Sequence, residues 1–411
     1  MINYDKLVAL FDGMPPGIEK NWIAENIKIC KPVDSLMDDE VRVRLGNADL
    51  DLGINLIPGT RNENTTPIDG IVNHEMRYYN LKNCKLFHNG LVLSSDNTLY
   101  VDEFRVTSSN WREEGFKHRF AEDVGFNGLD LENNTAVVSL HGRKRKIKEP
   151  SFFFNSNTAQ SHYGHVIHDT LAQIIAYDYL CEKLGVTLKP IAVGPFFLPI
   201  QYFLFNNLIK GASSIEFIAQ REVVEAEDCY LATNALFCPE KHEVAINAAK
   251  YLKDKILKLS SAKAIDGLEL LFVNRNDIPV NRGQLMLDGK DYSLVWDPGR
   301  NISNMSEAET IAVGHGFKSL TLTKFNASDT LAIMRGVKIA IGPHGGGLYN
   351  LILAENCEHL IELCDYPSSW ESVYTFTTAC GTKVHKVPAY TQDGLIYTDL
   401  DKIKSLINEL L

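Results

Sequence analysis

Residues 338–353 read Lys-Ile-Ala-Ile-Gly-Pro-His-Gly-Gly-Gly-Leu-Tyr-Asn-Leu-Ile-Leu, a pattern suited to holding an anion. Ile339 to Ile341 predict a short buried strand, Gly342 and Pro343 end it, and Leu348 to Ala354 have the apolar density of a helix. Between strand and helix, His344 is followed by Gly345, Gly346 and Gly347. Glycines let backbone N–H groups approach a phosphate closely, and a helix N-terminus adds partial positive charge. His344 is placed to donate to the same anion. The alternative is a tight turn with a solvent-facing histidine.

A second cluster is His162-Tyr-Gly-His165-Val-Ile-His168-Asp169. His165 and Asp169 are four apart, so on a helix they share a face. That pairing suits a general base oriented by its neighbour, in either order. The same stretch also reads as a metal site, because His162, His165 and His168 recur every third residue and three histidines can hold zinc with one position open. A third reading is purely structural, with polar helix-start residues bonded to backbone.

Two further residues stand out. Arg275 follows directly after the apolar run Leu270-Leu-Phe-Val273. Ligands of open α/β sheets bind beyond the carboxyl ends of strands, and a guanidinium there suits a diphosphate. In isolation it reads equally as a surface salt bridge. Glu362 lies inside the apolar run His359-Leu-Ile-Glu-Leu-Cys364. A carboxylate there needs a partner, because burying it bare is costly. A ribose hydroxyl pair would serve, and so would an internal Arg or Lys.

The elements that position these groups follow from the patterning. Residues 1–80 are mixed; residues 85–150 read as β-rich, with short runs such as Gly90–Ser94 and Thr135–Leu140 bounded by Asn, Asp and Gly. From 151 onward strands and helices alternate. Strands are predicted at 152–154, 190–193, 270–273, 319–322, 337–341, 359–363 and 383–387. Helices are predicted at 166–184, 196–209, 241–259, 306–314, 327–335, 348–354 and 369–379, with Ser306 and Glu309 forming a capping box. This alternation predicts a parallel sheet with helices on both faces. The 241–259 helix marks a domain boundary. The last helix, Asp399 to Leu411, carries an apolar stripe that must dock, for which the N-terminal half across an interdomain cleft is one candidate surface.

Composition narrows the classes. The 411 residues allow two or three domains at roughly 150 residues each, and 45% hydrophobic content supplies a large core. A net charge of −11 argues against nucleic acid as a partner. The basic run Arg143-Lys-Arg-Lys146 reads as a solvated loop or as a contact with anionic lipid or acidic glycan, hence a peripheral membrane contact. Eight cysteines include no C-x-x-C pair and read as small buried hydrophobes in a reducing compartment. The N-terminus lacks the pattern of a signal peptide, so a cytoplasmic location is expected. The apolar stretch 191–209 is broken by Gly, Pro and Asn and reads as a buried strand and helix.

In their order these elements resemble glycosyltransferase family 61. The resemblance rests on His165 and Asp169, on Arg275 after its strand, on the acidic helix start Ser306-Glu-Ala-Glu309, on the Gly342-Pro-His-Gly-Gly-Gly347 loop, and on Ile361-Glu-Leu363. It covers about residues 150–390. The segment Leu285 to Arg300, with Trp296-Asp-Pro-Gly299, is longer than the family usually has there and suggests an acceptor loop.

The resemblance implies an α/β, GT-B fold of two Rossmann-like domains facing a cleft: 1–240 on the acceptor side, 241–395 binding the nucleotide sugar, and 396–411 as a terminal helix. It implies an inverting, metal-independent transferase moving a sugar from a nucleotide-sugar donor, UDP-linked, to a glycan or lipid-linked glycan acceptor, as in capsule-type polysaccharide synthesis. Arg275, His344, Gly345, Gly346, Gly347 and Glu362 would bind the donor, with Asp169 or His165 as base. No metal or other cofactor is expected. The competing classes are a metal-dependent hydrolase built on His162, His165 and His168, and a non-catalytic sugar-binding protein. An esterase would need a Gly-x-Ser-x-Gly elbow, which does not occur in the sequence.

Overall fold

The computed structural model describes residues 36–47, 55–56, 76–88, 90–101, 125–126, 133, 135–155, 164, 166–193, 199–211, 215–218, 222–232, 243–259, 263–275, 284–287, 290–293, 302–364, 377, 380–393 and 395–411. Residues 1–35, His162, His165, Trp296 to Gly299 and most of the predicted 369–379 helix lie outside them. The fold is mixed α/β, with two main sheets on either side of a helix at Glu243–Lys258.

The N-terminal sheet is formed by β1 (Leu36–Asn47), β2 (Asn55–Leu56), β3 (Arg77–Phe87), β4 (Val92–Leu93), β5 (Thr98–Val101), β6 (Gly125–Phe126), β7 (Thr135–Ile147), β8 (Ser151–Phe154), β9 (Lys189–Val193), β10 (Glu216–Ile218) and β11 (Glu222–Ala232). Strands β8, β9 and β10 run parallel in the order β10-β9-β8, and β11 joins β8 in parallel. Helices α1 (Ile174–Leu184) and α2 (Pro199–Leu208) make the crossovers. Beyond β11 the order continues β3-β4-β5-β1-β7, and β7 returns to pair β11, closing a ring of strands. Its lining includes Val43, Phe87, Leu93, Leu99, Val138 and Val223. Closure removes exposed strand edges.

This ring corrects the reading of the basic run as a solvated loop. Residues 143–146 belong to β7 and face the acidic strand β11. Lys144 pairs with Glu225 at 2.7 Å, Lys146 with Glu227 at 2.9 Å, and Arg145 Nε with Glu222 at 2.9 Å. Arg145 also pairs with Glu216. The charge is matched within the protein, so the run no longer argues for a membrane contact. No helix among the described residues is long and apolar enough to cross a membrane.

The C-terminal sheet contains β12 (Leu270–Val273), β15 (Lys318–Leu320), β16 (Ile339–Pro343), β17 (His359–Cys364), β18 (Lys383–Gln392) and β19 (Leu395–Thr398); a separate hairpin pairs β13 (Gln284–Leu287) with β14 (Lys290–Ser293). The order is β15-β12-β16-β17-β18-β19, parallel except for β19. In chain order the five parallel strands therefore run 2-1-3-4-5. The direction of winding reverses between β12 and β16, and such a switch point opens a crevice beyond the strand ends.

Each central strand is buried on both faces, as a parallel sheet requires. Phe272, Ile341, Ile361 and Leu363 face α4 (Met305–Gly314) and α6 (Leu400–Leu410). Leu271, Val273, Ala340 and Leu360 join a core that runs through α3 (Glu243–Lys258), α5 (Ala327–Arg335) and the N-terminal helices. The apolar stripe of α6 therefore docks on its own half: Ile403 and Ile407 pack beside Ala308 and Ala312 of α4. It does not cross to the N-terminal half, because the adjacent sheet face is itself apolar and within immediate reach. The expected Ser306–Glu309 capping box is also absent. Helix α4 starts at Met305, and Glu309 accepts a hydrogen bond from Ser319 Oγ at 2.6 Å.

Candidate active site

The switch point gathers several of the residues singled out in the sequence. Arg275 stands two residues past the end of β12 and His344 one residue past the end of β16. Arg275 Nη1 donates to the backbone oxygen of His344 at 2.9 Å. Asn274 anchors the same turn: its N–H donates to Leu320 O at 2.9 Å, and its Nδ2 to Ser319 Oγ at 3.1 Å. Ser319 in turn donates to Glu309. The acidic start of α4 thus acts at a distance, holding the strand end from which Arg275 projects.

Strand β16 runs through Gly342 and Pro343 rather than stopping before them. Strand β12 pairs only as far as Ile341, so the missing N–H of Pro343 breaks no ladder bond on that side. On the other side Gly342 and Pro343 pair with Glu362 and Leu363 of β17. A Cβ on Gly342 would lie 3.0 Å from both Leu348 and Val273, so the glycine permits the helix after the loop to press onto the sheet. Gly345 adopts φ 141° and ψ −170°, a conformation essentially restricted to glycine. A Cβ there would lie 3.2 Å from Arg275 Nη1.

The helix after the loop is a 3-10 helix over Gly346–Leu353, starting two residues before the predicted one. Its first N–H groups have no intrahelical acceptor and face the loop side. Asn350 Nδ2 caps back onto Gly347 O at 3.0 Å. Glycine loop, helix start and Arg275 therefore converge on one crevice.

Glu362 is 1% exposed and His344 9%. His344 Nδ1 lies 2.6 Å from Glu362 Oε1, and the His344 N–H donates to Leu363 O at 2.8 Å. The partner that an acidic residue in an apolar strand requires is this imidazole. An ionised carboxylate only accepts, so the Nδ1–H donates and Nε2 is the ring nitrogen with a lone pair. Nε2 makes no hydrogen bond among the described residues.

Across from this crevice, the predicted 166–184 helix is irregular at its start. Val166–Thr170 form a π-helical turn and Leu171–Gln173 a 3-10 turn before α1. Asp169 lies in the π turn, and such turns are frequent at functional sites. His165 and His162 lie outside the described residues, so the pairing of His165 with Asp169 is not seen here. Gly164 is seated on the helix after the loop: a Cβ on it would lie 2.8 Å from the Tyr349 ring. That contact sets the start of this segment against the helix that follows the glycine loop. Gln173 Nε2 donates to Asn155 Oδ1 at 2.6 Å just past the end of β8, while Thr170 Oγ1 and Gln173 Oε1 are buried with no partner among the described residues.

A family model for glycosyltransferase 61 matches residues 163–361. The match spans just under half of the chain and supports its assignment to glycosyltransferase family 61. The matched segment holds Asp169, Arg275, His344 and the three loop glycines, and it ends one residue before Glu362. No curated protein sequence is significantly similar to the chain. The match supports a glycosyltransferase and does not favour the hydrolase reading.

Asn155, Gln173, Asn274 and Ser319 were missed in the sequence. Asn155, Asn274 and Ser319 are polar residues at or beside a strand end and Gln173 lies in a 3-10 turn, and a single chain does not distinguish any of them from an ordinary turn residue. Two Asp-x-Asp tripeptides occur, Asp49-Leu-Asp51 and Asp399-Leu-Asp401. The first lies outside the described residues. In the second, Asp399 caps α6 by accepting from the Lys402 N–H at 2.9 Å, which accounts for its position.

Proposed function

We propose that the chain is an inverting GT-B transferase that moves a sugar from a UDP-linked donor to a glycan or lipid-linked glycan acceptor in capsule-type polysaccharide synthesis. The observation that carries this reading is the pairing of Arg275 with the His344 loop at the switch point of the C-terminal sheet. Arg275, His344 Nε2 and the loop amides bind the diphosphate and stabilise its charge as the glycosidic bond breaks, a role that a metal would otherwise fill. Residues 241–395 hold the donor, residues 1–240 the acceptor, and the enzyme works in the cytoplasm.

Inversion by direct displacement needs a base on the acceptor side. Asp169 takes the acceptor hydroxyl's proton, and His165 binds acceptor or phosphate; the reverse assignment is decided by Asp169→Asn and His165→Ala. The base variant loses turnover by ~10²-fold or more while UDP still binds. The unpartnered oxygens of Thr170 and Gln173 supply acceptors for sugar hydroxyls on that side. The primary test is the anomeric configuration of the product by NMR, with turnover measured in excess chelator. Retention of the donor's configuration overturns the inverting assignment, and loss of turnover in chelator overturns metal independence.

A further inference from the structure

The two carboxylates at the acidic start of α4 are used differently. Glu307 is exposed and accepts a hydrogen bond from its neighbour Ser306 Oγ at 2.8 Å. Glu309 is half-buried and turned to the sheet, where Ser319 Oγ of β15 donates to its Oε1 at 2.6 Å. Ser319 Oγ accepts in turn from Asn274 Nδ2 at 3.1 Å, and the Asn274 N–H donates to Leu320 O at 2.9 Å. The direction of this chain is fixed. An ionised carboxylate only accepts, so Ser319 gives Glu309 its one proton and keeps only lone pairs for Asn274. Asn274 must therefore present its NH2, not its carbonyl, to β15.

We propose that Glu309, Ser319 and Asn274 are positioning residues for Arg275, and that UDP affinity depends on them through Arg275. This rests on the reading of Arg275 as a ligand of the donor diphosphate. Asn274 is the first residue past β12 and Arg275 the second. Strand β12 pairs with β15 as far as Val273 and Leu320, but with β16 only as far as Phe272 and Ile341. At the switch point its neighbours part, so the ladder alone holds the strand end on one side. The main-chain bond to Leu320 would by itself leave the segment free to pivot about that carbonyl. The side-chain bond to Ser319 adds a second point on the same strand and removes that freedom. From this fixed base the Arg275 guanidinium reaches the other side and donates to His344 O. A planar fork matches a diphosphate only when its place and plane are set, which is the task of groups that do not themselves touch the ligand. The carboxylate of Glu309 anchors the far end of the relay, and α4 carries it.

The test is calorimetric titration of the full chain with UDP, each variant made alone and together with Arg275→Ala. Asn274→Ala and Ser319→Ala each weaken UDP binding by about fivefold, the span of one lost hydrogen bond. Glu309→Gln can still accept from Ser319 and weakens it less. Ser319→Thr keeps the hydroxyl and stays within about twofold, as does Glu307→Gln, which alters the same helix start outside the relay. With Arg275 already replaced by alanine, none of these changes shifts affinity by more than about twofold, because coupled residues are non-additive. A loss that persists in the Arg275→Ala background overturns the proposal. So does wild-type affinity in both Asn274→Ala and Ser319→Ala, whatever their melting temperatures, since the ties then serve the fold alone. If Asn274→Ala does not fold, Ser319→Ala against Ser319→Thr makes the same comparison. Arg275→Ala that binds UDP as the wild type does overturns the donor reading instead. The relay is then decided by the Arg275 Nε resonance in ¹⁵N-arginine-labelled protein, assigned with Arg275→Lys. It moves in Ser319→Ala and holds in Glu307→Gln; an unmoved resonance in Ser319→Ala overturns the relay.

Discussion

The Nδ1 of His344 and the Oε1 of Glu362 stand 2.6 Å apart, and the carboxylate is almost wholly withdrawn from water. Because the His344 N–H also donates to Leu363, ring and backbone are both tied to β17. Glu362 therefore fixes the tautomer and the ring direction of His344, and under the proposed function this leaves Nε2 to the donor.

Glu362→Gln keeps an acceptor for the Nδ1–H but removes its charge. A charge-assisted hydrogen bond is worth about 1.5–3 kcal/mol and a neutral one about 0.5–1.5. Donor binding or turnover should fall by roughly tenfold, at 1.4 kcal/mol per decade. Glu362→Ala leaves a buried donor unpaired and should also lower fold stability by about 1–3 kcal/mol. Calorimetry with UDP and denaturant unfolding separate the two effects. If Glu362→Gln keeps full affinity and turnover, the pair serves the fold alone.

Arg275→Ala should weaken UDP binding by more than ~1.5 kcal/mol, because it removes charge-assisted bonds to the diphosphate and frees the His344 carbonyl. Arg275→Lys should recover little, since a point charge does not reproduce the planar fork. Gly345→Ala forces a residue with a Cβ into a glycine-only conformation, at a cost of order 1–3 kcal/mol, and pushes against Arg275. The two sites touch, so their effects should be non-additive in a double-mutant cycle. Additive losses would show that Gly345 does not act through Arg275.

The order strand, His344, three glycines, helix was legible in the sequence because its spacing is local. It also exposed Glu362, since one carboxylate in an apolar strand is conspicuous. It did not disclose the partner of Glu362, because strand register joins residues eighteen positions apart and the pattern of one strand carries no register. The reasons for the glycines were likewise hidden. Gly345 needs its backbone angle, whereas Gly342 and Gly347 need room beside Val273, and only packing tells these apart. The basic run was misread for a related reason: Glu222, Glu225 and Glu227 neutralise it from a strand some eighty residues away.

The cysteines should behave as packing residues. Burial pushes the Cys357 thiol up to about 12, with Thr382 and Lys253 acting weakly against it. Burial likewise raises Cys380 to about 11. The nucleophile is the thiolate, so at pH 8 both should resist iodoacetamide in the native protein and react fully in denaturant. Peptide mapping by mass spectrometry checks this. Rapid native alkylation at Cys357 would show that this part of the core opens readily.

The contact between Gly164 and Tyr349 gives the last prediction. It joins the segment bearing Asp169 to the helix that follows the glycine loop. A Cβ on Gly164 would lie 2.8 and 2.9 Å from two ring carbons of Tyr349, closer than real contacts allow. Tyr349 is buried in the shared core beside Leu348 and Ile352, so its ring has little freedom to withdraw. Gly164→Ala should therefore displace the start of the π turn, and with it Asp169, while leaving Arg275 and His344 in place. Misplacing a catalytic group by about 1 Å costs on the order of 10²-fold in rate. Turnover should drop by that order while UDP affinity stays within about twofold. Tyr349→Leu opens space beside the new methyl, so the double variant Gly164→Ala/Tyr349→Leu should recover part of the lost turnover. If Gly164→Ala works at the wild-type rate, the segment is not held by this contact, and the approach of Asp169 to the donor must be set elsewhere.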